Sequence, residues 1–265
     1  MLKKTLKQFI TAIKEVVFPS KCLSCKTVFS GTASQNKKKT TFETLMEPHL
    51  CRNCISKLTQ VTSPICSCCG MMFKERVSDD HLCGNCIKKK PVLRIARSFG
   101  VYDQTLLDII RAYKFRNKLQ LAKPLGTILY NLYKNNYWDS TKDRWHHNSP
   151  DLIIPVPLHK SRFRKRKFNQ AWLLIKNWDT QKTNCKILSR KKATKPQTGL
   201  DKKTRKKNIQ GAFYVNSTEK VKGKKILIID DVYTTGATAN ECAKELLKNG
   251  AQHVDVLTIA RTQAV

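Results

Sequence analysis

Acidic residues are scarce in this chain: 19 Asp and Glu stand against 51 Lys and Arg in 265 residues, a formal net charge of +32. A surplus that large exceeds what a substrate pocket needs and points to a polyanionic partner. Long apolar runs are missing as well. No stretch approaches the roughly 20 apolar residues of a membrane span. The first segment, MLKKTLKQFITAIKEVVF, breaks its apolar positions with Lys7, Gln8 and Lys14, so it lacks the continuous core of a secretory signal. A secreted disulfide scaffold is thereby disfavoured, and reducing cytoplasm is the expected compartment. Neither G-x-x-x-x-G-K-S/T nor G-x-G-x-x-G occurs, which argues against the common nucleotide-binding folds. Cysteine is sparse over the last two thirds, where only Cys185 and Cys242 occur, while nine of eleven fall between Cys22 and Cys86. That asymmetry marks a separate module, and the length suffices for it plus one ordinary domain.

What is present divides the chain into 1–20, 21–90 and 91–265. Leu2, Leu6, Phe9, Ile10, Ile13, Val16 and Val17 recur at helical spacing and Pro19 ends the run, which predicts a basic amphipathic helix that either docks on the protein or lies on an anionic membrane. The polar stretch SGTASQNKKKTTFETLMEP reads as a mobile loop or insertion. After Pro91 the pattern alternates. LRIARSFGVY, DLIIPVP, GAFYV, KILIID and HVDVLTIA read as strands; LLDIIRAYKF, LAKPLGTILYNLY and GATANECAKELLKNG read as helices, the second weakened by Pro124. Alternation of this kind predicts an α/β domain with a mostly parallel sheet flanked by helices.

Cys22 and Cys25, Cys51 and Cys54, Cys66 and Cys69, and Cys83 and Cys86 form four C-x-x-C pairs. A two-residue spacer turns both thiolates of a knuckle toward one tetrahedral ion, so four knuckles fit two structural zinc ions. Spacing leaves the pairing open: neighbouring pairs share an ion, or the first joins the third in a cross-brace. Cys68 is read as a spare thiol.

ILIIDDVYTTGATA, from Ile226 to Ala239, carries the most chemistry. An apolar strand delivers Asp230 and Asp231 to its carboxyl end, the edge where ligands of open α/β sheets bind. The following turn offers backbone N–H groups and a helix amino terminus to an anion; Gly236 permits close approach, and Thr234, Thr235 and Thr238 add hydroxyls. The two carboxylates suit sugar hydroxyls. Phosphate beside ribose is the ligand this pattern implies.

A second concentration is charge. Lys160 to Lys207 holds 18 basic and two acidic residues. Arg162, Arg164, Lys165, Arg166 and Lys167, with Lys202, Lys203, Arg205, Lys206 and Lys207, form the candidate nucleic-acid surface. Phe163, Phe168 and Trp172 interleave aromatic faces for unstacked bases, although Phe168 and Trp172 read at least as well as helix core.

DDVYTTGAT resembles the phosphoribosyl pyrophosphate (PRPP) signature of type I phosphoribosyltransferases. The paired cysteines, YKF at Tyr113 to Phe115, DLIIPVPLH at Asp151 to His159, FNQA at Phe168 to Ala171, PQTGL at Pro196 to Leu200, R-x-x-N at Arg205 to Asn208 and GAF at Gly211 to Phe213 resemble the ComF family of bacterial competence proteins. The resemblance implies a type I phosphoribosyltransferase-like domain behind a zinc-binding module. It places PRPP along Asp230, Asp231, Val232, Tyr233, Thr234, Thr235, Gly236, Ala237 and Thr238, with the two acids on the ribose hydroxyls as the catalytic pair. Thr234 to Thr238 would take the 5′-phosphate, and the loop Pro155, Val156, Pro157 the pyrophosphate with Mg2+. It also implies a part in natural transformation, with single-stranded DNA, a helicase-like protein and recombination mediators as partners, at the cytoplasmic side of the inner membrane. Lys167 stands where the family usually has Gly. Two rival functions remain: a metabolic nucleobase phosphoribosyltransferase, for which no base-recognising hood is legible, and a non-catalytic DNA adaptor that senses PRPP.

Overall fold

The computed structural model describes residues 19–29, 41–75, 79–137, 149–178, 181–193 and 208–263. The expected helix over 1–17, the stretch 30–40, the PQTGL motif, and Lys202, Lys203, Arg205, Lys206 and Lys207 lie outside them.

The cysteine-rich part forms a small antiparallel pair, β1 (Ser20–Lys21) and β2 (Val28–Phe29), and three short helices, α1 (Phe42–Met46), α2 (Arg52–Ser56) and α3 (Gly84–Lys88). Helix α1 corrects the expected loop. Thr41 caps it by accepting from Thr44 N, and Phe42 and Met46, four residues apart on one face, are buried.

The α/β part runs β3 (Ala96–Val101), α4 (Gln104–Phe115), α5 (Ala122–Tyr137), β4 (Leu152–Pro155), α6 (Lys160–Arg166), α7 (Gln170–Ile175), β5 (Leu188–Arg190), β6 (Phe213–Val215), β7 (Lys225–Tyr233), α8 (Ala237–Lys248) and β8 (His253–Arg261). Asp103 caps α4 through Leu106 N, and Leu106, Ile109, Ile110 and Tyr113 place a buried stripe at i, i+3, i+4 and i+7. Pro124 does not break α5, because it sits in the first turn, where its missing N–H has no helical partner to lose.

Strands pair in the order β3-β8-β7-β4, all parallel. Covered on both faces, β7 is apolar and buried from Ile226 to Ile229 ahead of its acid pair, and β8 is buried from Val254 to Arg261. Leu227, Ile229, Leu257 and Ile259 face a core with α4, α5 and α7; Ile226, Ile228, Val254 and Val256 face the core of α8. The expected strand GAFYV becomes β6 but stays outside this sheet. It pairs antiparallel with β5, a strand too short and polar to stand out in the sequence.

The cysteine part is not a separate body. Thr59 to Val61 runs antiparallel along the outer edge of β3, with Val61 N donating to Phe99 O at 2.9 Å and Val101 N to Thr59 O at 2.8 Å. That contact covers an edge which would otherwise present unpaired backbone. Gly100 leaves room for it, since a Cβ there would stand 3.0 Å from Thr59 O as well as 2.6 Å from Leu106 Cδ1. Cys22 and Cys54 belong to the core on one face of the sheet, and Cys66, Cys69, Cys83 and Cys86 to the core on the other.

Candidate functional site

The cysteines assemble as neighbours. Cys22, Cys25, Cys51 and Cys54 form one group and Cys66, Cys69, Cys83 and Cys86 another, with all sulfurs in each within 4.8 Å of one another. This arrangement is sequential and not cross-braced. Cys25 Sγ lies 3.6 Å from Cys51 Sγ and Cys69 Sγ lies 3.8 Å from Cys83 Sγ. Zinc bonds of about 2.3 Å in a tetrahedron set sulfurs about 3.8 Å apart, so both groups fit the ion. Four thiolates leave no open coordination position, and the metal holds structure. Cys68 is buried outside both groups; its carbonyl accepts from Ala96 N at 2.8 Å and so ties the knuckle to β3.

The second group props the turn at Gly236. Arg261, buried at the end of β8, donates to Cys69 O and lays its guanidinium 5.7 Å from the Tyr233 ring centroid. Tyr233 in turn packs on Gly236, where a Cβ would fall 2.3 Å from its hydroxyl. From the other side, Val92 N donates to Asn240 Oδ1, and Asn240 Nδ2 donates to Gly236 O. Gly236 adopts φ +73 ahead of α8, a left-handed turn that a side chain would strain. Thr234, Thr235, Ala237 and Thr238 are half-buried around it, and Thr235 Oγ1 accepts from Ala237 N at 3.4 Å.

Asp230 and Asp231 lie within β7, which continues to Tyr233, and not beyond its end. Asp231 is 7% exposed. Its Oδ1 is 2.7 Å from Lys114 Nζ, brought in by α4. Asp230 is half-buried, and its carboxyl is pushed up to about 7, first by burial and then by the Asp231 charge, with Lys114 opposing. A folded value above the ordinary 3.8 gives a contribution to stability that is complete below about pH 4 and lost as pH rises through about 7. Asp230→Asn, which stays neutral, should therefore raise the thermal midpoint at about pH 8 and leave it unchanged near pH 4; equal shifts at both would contradict this. Beside the acids, β4 pairs with β7 through Pro155 and Ile229, which sets the Pro155, Val156, Pro157 loop at the same sheet edge. Asn169 Nδ2 donates to Val156 O at 3.0 Å while its Oδ1 caps α7, so one side chain fixes the loop and the helix.

Sequence reasoning missed two cations here. Lys114 lies in the YKF motif but had no role, and Arg190 was not singled out. Arg190 is buried on β5 with its guanidinium 5.5 Å from the Phe213 ring centroid; burial and Arg162 pull it down to about 10, and Asp230 and Cys242 oppose. Neither has a local signal, since each meets β7 only through the fold.

Part of the basic block is a helix. His159 caps α6 by accepting from Ser161 N, and Arg164, Lys165 and Lys167 are exposed while Arg162 and Arg166 are half-buried. Lys167 ends α6 at φ 65, a left-handed position for which glycine is suited. Lys167→Gly should stabilise the chain by about 1 kcal/mol in denaturant unfolding, and a loss of stability would contradict the strain. Phe163 is 50% exposed. Phe168 instead tilts against Tyr113, centroids 6.3 Å apart, and Trp172 packs on the core.

A parallel sheet with an acid pair and a glycine turn at its carboxyl edge, on a base of paired cysteine knuckles, defines a phosphoribosyltransferase-type domain joined to a double zinc ribbon. Residues 184–264 match the model of the phosphoribosyl transferase domain, and 13–87 that of the double zinc ribbon domain. Competence protein F of Haemophilus influenzae is 32% identical over 217 residues, 80% of this chain and 90% of its own length. Competence protein ComFC of Bacillus subtilis is 28% identical over 245 residues, 91% and 95% of the two chains. DNA utilization protein YhgH of Escherichia coli K12 is 32% identical over 216 residues, 80% and 90%. The chain belongs to the ComF family. No helix among the described residues is long and apolar enough to cross a membrane.

Proposed function

We propose that this chain acts in natural transformation by binding PRPP with magnesium at the β7–α8 turn and single-stranded DNA on the basic surface of α6. The observation that carries the reading is the acid pair beside the left-handed Gly236 turn, with a helix of five cations and no acid close by. The turn takes the 5′-phosphate through backbone N–H groups and the threonine hydroxyls. Asp230 and Asp231 accept from the ribose hydroxyls, and their negative charge favours positive charge developing at the anomeric carbon. Their hard oxygens suit magnesium, which takes one or two carboxylates with substrate phosphates and neutralises pyrophosphate charge. Lys114 pairs with Asp231 and holds its carboxylate in place. A helicase-like protein and recombination mediators are the partners this role calls for.

Pyrophosphate release assayed across free bases, nucleosides and single-stranded DNA tests the activity. Turnover with a free base alone would make the chain a metabolic enzyme, whereas PRPP binding without turnover on any acceptor would make it a sensing adaptor. For the DNA surface, the exposed Arg164 and Lys165 are the informative positions, because Lys167 carries backbone strain and Arg166 packs on an aromatic ring. Arg164→Glu with Lys165→Glu should weaken single-strand binding and flatten the log-log salt slope by roughly 0.7 for each phosphate that is no longer neutralised. An unchanged slope in a titration from low to high salt would place the DNA elsewhere.

A further inference from the structure

Helix α4 spends three successive residues on three different tasks at the mouth of the site. Tyr113 is buried and donates its hydroxyl to Gln170 O at 2.9 Å. Lys114 reaches Asp231. Phe115 turns away from the buried stripe and is 64% exposed, although the Arg166 guanidinium from α6 lies 4.8 Å from its ring centroid. Single exposed apolar residues are ordinary on protein surfaces. This one differs in its setting: it is aromatic, one residue from the cation that holds Asp231, and in contact with an arginine whose charge Asp231 also feels.

Charge says what covers the ring. From Arg111 to Lys123 the chain holds five basic residues and no acid, and from Lys160 to Lys167 six basic residues and no acid. Arg116, Lys118, Arg164 and Lys165 are exposed on the two segments that meet at Phe115. An aromatic face framed by exposed cations suits a ligand with a flat π-system and a phosphate backbone. A duplex keeps its bases stacked inside; only an unpaired strand offers both.

We propose that Phe115, with Arg166 against it, is a stacking platform that seats one unpaired nucleobase of a single strand at the rim of the acid pair. The proposal rests on reading this surface as one that takes single-stranded nucleic acid, and it deepens that reading by naming where a base sits. The base stacks on Phe115, the planar guanidinium adds a cation–π contact, and the flanking phosphates run along Arg164 and Lys165 on one side and Arg116 and Lys118 on the other. Phosphate binding alone would not distinguish a strand with bases from one without. The platform does, and it puts the nucleobase next to the sugar-binding acids, so one surface serves both ligands.

The test compares an oligothymidylate with an all-abasic strand of equal length, each binding the full chain by fluorescence anisotropy. The wild type should prefer the thymidylate roughly five- to tenfold, the lower range for one stacked base. Phe115→Ala and Phe115→Leu should remove the preference while abasic binding stays the same, and Phe115→Trp should keep or enlarge it. Zinc content and thermal midpoint confirm that the variants fold, which an exposed position favours. Thymidylate preference intact in folded Phe115→Ala overturns the platform and leaves the DNA reading standing; a wild type that binds no strand overturns both. Binding to anionic vesicles that Phe115→Ala abolishes, with strand binding unaffected, would assign the ring to a membrane surface and overturn the proposal. A ribothymidylate strand bound equally well shows that the base and not the sugar is read, as stacking requires.

Discussion

Cys83→Ser should remove one of the two metals and collapse the α/β domain with it, not only the ribbon. Structural zinc is worth about 10–16 kcal/mol to zinc-finger peptides, comparable with the whole stability of an ordinary domain, about 5–15 kcal/mol. Cys83 and its three partners are all buried in the same core as α8. The knuckle they close carries Cys69 O to Arg261 and Cys68 O to Ala96 N. Loss of that ion unsupports the guanidinium beneath Tyr233 and the start of β3 together. The expected result is about one zinc per chain by metal analysis, loss of near-ultraviolet circular dichroism across the protein, and an insoluble or largely unfolded product. Cys25→Ser is the matched comparison, because Cys25 is exposed and stands in the other group. It should lose its own zinc with a smaller effect on the rest of the fold. A folded Cys83→Ser protein with unchanged aromatic signal would mean that the ribbon is only appended.

The amino-acid pattern carries the elements better than their partners. KILIID and HVDVLTIA are legible as buried strands because parallel strands covered on both faces have no reason to alternate, and the C-x-x-C knuckles are legible because both ligands of each half-site are local. DDVYTTGAT concentrates a strand end, a glycine turn and a helix start in one stretch, so the turn proposed to take phosphate is local too. The pairing of the knuckles, left open by their spacing, is sequential, and the Thr59 to Val61 segment runs along β3 between the two groups. That edge contact is made of backbone and has no side-chain signature.

Helix α6 was legible only as charge. KSRFRKR has one apolar residue in seven, too few for a helical stripe, and the helix is set by its His159 cap and its left-handed exit at Lys167. Lys167 was visible as a departure from glycine, and the structure supplies the reason the glycine is wanted. Asp231 was expected at an accessible strand end. It is buried instead, because Lys114 crosses from α4 to neutralise it, a contact between distant parts of the chain that no local pattern contains.

That burial decides how the acid pair has to be tested. Removing the Asp231 side chain to alanine would leave the Lys114 ammonium without its partner, which costs about 3–5 kcal/mol for a buried pair and confuses binding with folding. Asparagine keeps the shape and one acceptor oxygen at each position, while it removes the charge that the ribose hydroxyls and magnesium would meet. Charge-assisted hydrogen bonds contribute about 1.5–3 kcal/mol each, so losing two should weaken PRPP at least about a hundredfold. The most direct measurement is calorimetric titration of PRPP with magnesium into the wild type and into Asp230→Asn with Asp231→Asn, both carrying full zinc. The account predicts saturable, magnesium-dependent binding to the wild type and at least a hundredfold loss in a variant that still unfolds cooperatively. A folded double variant that binds PRPP as tightly as the wild type, or a wild type that does not bind it, would contradict the account.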